Sequence, residues 1–109
     1  VWIAKACCDG YMKDLLLQMI TSHARATREW TYDTWHGGRF LEEWADPRAI
    51  AGLRVAYGHY EADDVKRALW ATMDLFRWVA RETTEHLGYA YPISTDERIV
   101  ALIAIVLAA

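Results

Sequence analysis

An all-α fold, a small bundle of about five helices (three long, two short), follows from three observations. Apolar residues recur at spacings of three and four along most of the chain, the period of one helix face. No stretch alternates apolar and polar residues as a strand would. The two Pro and six Gly fall mostly between the periodic segments rather than inside them. The longest uninterrupted segment is 61–87, EADDVKRALWATMDLFRWVARETTEHL, without Gly or Pro. Its stripe reads Val65, Leu69, Thr72, Met73, Phe76, Val79, Ala80 and Thr83, with Trp70, Leu75 and Trp78 outside it. A helix apolar on more than one side belongs at the centre of a bundle.

The elements follow in order. A first helix is expected over Trp2–Trp30, with Met12, Leu16, Met19, Ile20, His23 and Thr27 as its stripe and Gly10 as a weak point or break. Residues 31–37, TYDTWHG, have no period and read as a loop. A short helix over 39–45 turns Phe40, Leu41 and Trp44 inward. Asp46 as N-cap and Pro47 at the first helical position open a third helix, expected to run to about Tyr57 before Gly58. In the central helix, Glu61, Asp63 and Asp64 suit the positive end of the helix dipole, and Gly88 suits a left-handed C-terminal stop. Pro92 keeps Tyr91 extended. Ser94 and Glu97 match a capping box for a last helix over 95–107.

Composition narrows the function classes. The 109 residues suggest one domain, 1–109, with enough apolar content (54%) for a core. Twelve basic against fifteen acidic residues leave a net charge of −3, which argues against a nucleic-acid partner. The apolar run 99–109 is too short to span a bilayer, so no membrane partner is expected. Cys7 and Cys8 are adjacent and unaccompanied, which fits a reducing compartment and a cytoplasmic location. The chain opens in helical pattern without Met, which suggests sequence upstream.

Catalytic signatures are missing. Neither G-x-x-x-x-G-K-S/T nor G-x-G-x-x-G occurs, and His23, His36, His59 and His86 lack metal-ligand spacing. No metal site and no catalytic residue is assigned. His23, on an apolar stripe, reads as a hydrogen-bonded core histidine, and Asp74 with Arg77 as an ion pair. Arg81 and His86 form R-x4-H, which resembles the ribonuclease motif of HEPN domains, with His handling protons and Arg phosphate charge. A His near a helix C-terminus is also ordinary dipole compensation.

Three runs, GRFLEEWADPRA (38–49), Ala68–Ala80 with its MDLFR, and ETTEHLGYAYP (82–92), resemble the C-terminal helical domain of aminoglycoside 6-adenylyltransferases, the streptomycin-modifying nucleotidyltransferases. The run YMKDLLLQM (11–19) fits as well, so the similarity covers almost the whole chain. The resemblance implies a substrate-binding helical domain of nucleotidyltransferase type that closes one wall of a cleft around an aminoglycoside. ATP and Mg²⁺ are implied for the full family enzyme, held by a Gly-Ser turn and a D-x-D pair on an N-terminal domain. Neither motif occurs here, so this chain alone is expected to carry no cofactor and to be inactive.

Polycationic aminoglycosides call for carboxylates and aromatic faces. Asp33, Trp35, Glu42 and Glu43, with Tyr32 close by, supply them, and these four are the candidate substrate-binding residues. Trp35 could equally plug the end of the bundle. The other reading, from a different class, is a non-enzymatic interaction module. Trp2, Ile3 and the apolar last helix would then pair in a homodimer, or pack on a nucleotidyltransferase domain.

Overall fold

The computed structural model describes residues 1–28 and 41–108. They form α1 (Trp2–Ala6), a π-helical turn (Cys7–Tyr11), α2 (Met12–Thr27), α3 (Leu41–Trp44), α4 (Pro47–Arg54), α5 (Ala62–Leu87) and α6 (Ile93–Ala108), with no strand among the described residues. Because α1, the π turn and α2 run on as one rod, the expected five helices are present. Trp30, the 31–37 loop, Arg39 and Phe40 lie outside the described residues.

The π turn falls where Gly10 interrupts the first helix. A π turn inserts one extra residue and leaves backbone groups out of α-helical register. Lys13, only 5% exposed, folds back and donates to the Cys8 carbonyl at 2.8 Å. Its ammonium also donates to Thr72 Oγ1 at 2.7 Å, and Thr72 lies within hydrogen-bonding reach of the Ala68 and Ala56 carbonyls. One buried polar chain thus joins the π turn, α5 and the segment after α4.

The core is built where α2 crosses α5. Leu16, Ile20 and Ala24 of α2 meet Leu75 and Val79 of α5, with Trp44 and Ala45 at the end of α3 and Ala49 of α4 closing the cluster. Burying each of these larger side chains contributes about 1.5–3 kcal/mol. The buried face of α5 is Val65, Ala68, Thr72, Leu75, Val79, Ala80 and Thr83. This corrects the expected stripe: Phe76 is 37% exposed and Leu75 replaces it in the core. The reason is α4. A Cβ on Gly52 would lie 2.8 Å from Leu75 Cδ1, so α4 approaches α5 closely enough to cover Leu75 but not Phe76.

Asp46 caps α4 as expected, accepting from Arg48 N at 2.8 Å with Pro47 following. The helix stops at Arg54, short of Tyr57, because Arg67 of α5 takes the carbonyls of Val55 (2.7 Å) and Tyr57 (3.0 Å) and pairs with Asp64 (2.8 Å). Those carbonyls therefore turn towards α5 rather than along a helix axis. Gly88 ends α5 at φ 75°, the left-handed stop its position suggested.

The last helix starts at Ile93, earlier than expected, with Asp96 N bonded to the Pro92 carbonyl at 3.0 Å. Ser94 therefore lies inside the first turn, and the Ser94–Glu97 capping box has no N-cap position to occupy. Asp96 is the one buried residue of the described part of α6. It sets the orientation: Val100, Ile103 and Leu107, which follow it at successive spacings of four, three and four, are half-buried, while Ile99, Leu102, Ile105 and Val106 are exposed. Spacings of three and four along this helix also offer a stripe of Ile99, Leu102, Ile103 and Val106, of which only Ile103 is half-buried.

Candidate functional site

Three polar groupings sit on this scaffold. At the end of the bundle near α3, His23 of α2 is fully buried, with Nε2 3.4 Å from Glu82 Oε1 of α5. Its ring meets Trp78 at 5.2 Å between centroids, tilted by 49°, and the Arg48 guanidinium lies 4.2 Å from the centroid of the same Trp78 ring. His23 Nδ1 has no hydrogen-bond partner among the described residues. Helix α3 is fixed to this end, since Trp44 shares the core with Ala24 and Val79, the neighbours of His23 and Glu82 in sequence and in helical turn. His23 is therefore the hydrogen-bonded core histidine that its stripe position suggested.

Asp96 forms the second grouping. It accepts from Tyr91 Oη at 2.6 Å and Arg81 Nη2 at 3.1 Å, and Arg77 Nε lies 2.6 Å from its Oδ1 as an ion pair whose N–H points off that oxygen. Burial alone would raise the Asp96 carboxyl. The Tyr91 hydroxyl and the two guanidinium groups outweigh it and hold the carboxyl below the usual range. Asp74, by contrast, is loosely paired with Arg77 at 4.0 Å. Arg81 also lies 5.1 Å from the Tyr91 ring centroid, committed to the α5–α6 junction. His86 is exposed, and five helical positions place it about 140° round the axis from Arg81. The two members of the R-x4-H pair therefore face different ways.

The third grouping is Lys13 with Cys8, Thr72 and the Tyr57 ring, 4.8 Å from the ammonium. Sequence reasoning passed over Lys13, although Lys13, Leu16, Ile20 and Ala24 share one helical spacing and the signal was present. Glu82 and Trp78 were likewise not named as site residues, because their meeting with His23 and Arg48 depends on three helices.

Of the four candidate binding residues, Asp33 and Trp35 lie outside the described residues, as do Tyr32 and His36. Glu42 and Glu43 are exposed on α3, while Trp44 next to them is buried. No three His, Cys, Asp or Glu side chains converge as metal ligands among the described residues. No described helix is long and apolar enough to cross a membrane.

A family model described as streptomycin adenylyltransferase matches residues 1–106. The chain belongs to the streptomycin adenylyltransferase family. Comparison with curated proteins and with solved structures finds no match. The resemblance carried by GRFLEEWADPRA, MDLFR and ETTEHLGYAYP is thereby confirmed. In this streptomycin adenylyltransferase family member the described residues of those three runs map onto α3 with the start of α4, onto the middle of α5, and onto the α5 end with its Gly88 turn. They hold the helices together: Trp44, Asp46, Leu75 and Gly88 are packing, capping and turn residues.

Proposed function

We propose that this chain is the aminoglycoside-facing helical domain of an adenylyltransferase-like protein. The family match over 1–106 carries the reading. The chemistry of the chain agrees with a binding role. Glu42 and Glu43 project from a helix anchored by Trp44, and Glu82 lies at the same end of the bundle. Carboxylates on rigid elements suit the ammonium and guanidinium groups of an aminoglycoside, with Asp33 and Trp35 as further contacts.

In this reading ATP and Mg²⁺ are not held by this chain. Nucleotidyl transfer draws on carboxylates that hold Mg²⁺ against the phosphates, and among the described residues no three His, Cys, Asp or Glu side chains come together. The chain also contains no D-x-D pair and no Gly-Ser turn. In this reading those groups come from a nucleotidyltransferase domain, and the helical chain orients the acceptor.

Calorimetric titration with streptomycin tests the proposal. Saturable binding is expected, weakened about tenfold (about 1.4 kcal/mol) in a Glu42→Gln/Glu43→Gln variant. Absence of binding heat, or unchanged affinity in that variant, would overturn it. The chain incubated with ATP, Mg²⁺ and streptomycin should release no pyrophosphate. A second reading, a self-associating module, is favoured by the exposed outer face of α6.

A further inference from the structure

We propose that Cys8 and Lys13 form an oxidant-triggered covalent bridge, a sulfenamide closed across the π turn. Three observations carry it. Lys13 Nζ lies 3.6 Å from Cys8 Sγ, and both side chains are buried, at 5% and 3% exposure. In a regular α-helix, positions five apart diverge by about 140°. The wider π turn Cys7–Tyr11 instead brings residue 13 back over residue 8.

The amine has no carboxylate within 4 Å among the described residues. Its contacts are the Cys8 carbonyl, Thr72 Oγ1, the Cys8 sulfur and the Tyr57 ring. It is therefore held beside the sulfur by groups that are not its counter-ion. Behind the pair opens a cavity of about 340 Å³ whose wall includes Cys7, Cys8, Met12, Val65 and Leu69. A small hydroperoxide can enter this space, which is many times the volume of one water molecule.

The chemistry balances in two steps. The Cys8 thiol attacks the peroxide: an S–O bond forms, the O–O bond breaks, and the thiol proton leaves with the departing oxygen. Sulfur is oxidised to sulfenic acid and the peroxide is reduced. Lys13 then gives one proton to solvent, and its nitrogen lone pair attacks Sγ. An S–N bond forms, the S–O bond breaks, and a second amine proton leaves with the oxygen as water. Sulfenic acids condense with a backbone nitrogen to a sulfenamide; the deprotonated Lys13 amine is a stronger nucleophile than an amide and takes that part here, and the link shields sulfur from further oxidation until a thiol reduces it. The flexible lysine stem supplies the movement that closes 3.6 Å to a bond.

The test uses the full chain carrying Cys7→Ser, so that no disulfide between neighbouring cysteines can form. After mild hydrogen peroxide, intact-mass spectrometry should show a loss of two hydrogens, reversed by dithiothreitol. Peptide mapping should place the link between Cys8 and Lys13. Lys13→Arg keeps the donors but removes the nucleophile, and Lys13→Met is a second such variant. In either one, Cys8 should instead gain oxygen atoms. Gain of oxygen with Lys13 intact, a disulfide-linked double mass, or no mass change would each overturn the bridge.

Discussion

Leu75→Ala should destabilise this protein far more than Phe76→Ala, although the two residues are neighbours and Phe is larger. Leu75 is 6% exposed, lies in the cluster with Leu16, Ile20, Trp44 and Val79, and faces Gly52 on α4. Truncation there leaves an enclosed void. Gly52 has no side chain with which to fill it, so the cost falls in the middle of the Leu→Ala range, at about 3–4 kcal/mol. Phe76 is 37% exposed and lines an open, apolar cavity of about 270 Å³ between α2, α5 and α6. Its truncation widens a space already open to solvent, so only a partial transfer cost of about 1–2 kcal/mol applies. The difference of about 2 kcal/mol is about thirtyfold in the unfolding equilibrium. Urea denaturation of the two variants beside the parent chain measures it through the midpoints, with unchanged slopes showing that the same surface unfolds. Equal midpoints, or a larger loss for Phe76→Ala, would refute the placement of α5.

Two further outcomes are expected. Asp96→Asn should cost about 1–2 kcal/mol at neutral pH, because Arg77 and Arg81 lose a charged acceptor but stay partly solvated. The folded Asp96 carboxyl titrates below its unfolded value near 3.8, so its stabilisation is present above that pH and fades as pH falls through the lower folded value. Acid titration followed by circular dichroism should therefore show a smaller loss below pH 3.8 in Asp96→Asn than in the parent, and identical curves would contradict the α6 anchor. Ile105, 70% exposed on the outer face of α6, should lie in a homodimer contact. Light scattering should report about twice the 12.5 kDa chain mass, falling towards the single mass in Ile105→Glu, and a single mass for the parent would exclude self-association.

Local chemistry was legible in the sequence by itself. The helical class, the Asp46–Pro47 start of α4, the Gly88 stop of α5 and the break near Gly10 each depend on a few adjacent residues whose backbone preferences act before any packing. The three family runs were legible for a related reason, since they are packing, cap and turn residues in contiguous stretches. Which side of a helix points inward was decided by tertiary structure. Helix α5 is apolar on more than one face; periodicity alone put Phe76 on the stripe and Leu75 off it, and only the approach of α4 through Gly52 buried Leu75 instead. On α6 almost every position is apolar, and a single ionic contact, Asp96 with Arg77 and Arg81 fifteen to nineteen residues earlier, selected the face. The meetings of His23 with Glu82 and of Lys13 with Thr72 span 59 residues each, and the chain's own periodicity holds no record of them. Burial of a polar group requires a partner at hydrogen-bond distance, and that partner is fixed only once the helices have packed.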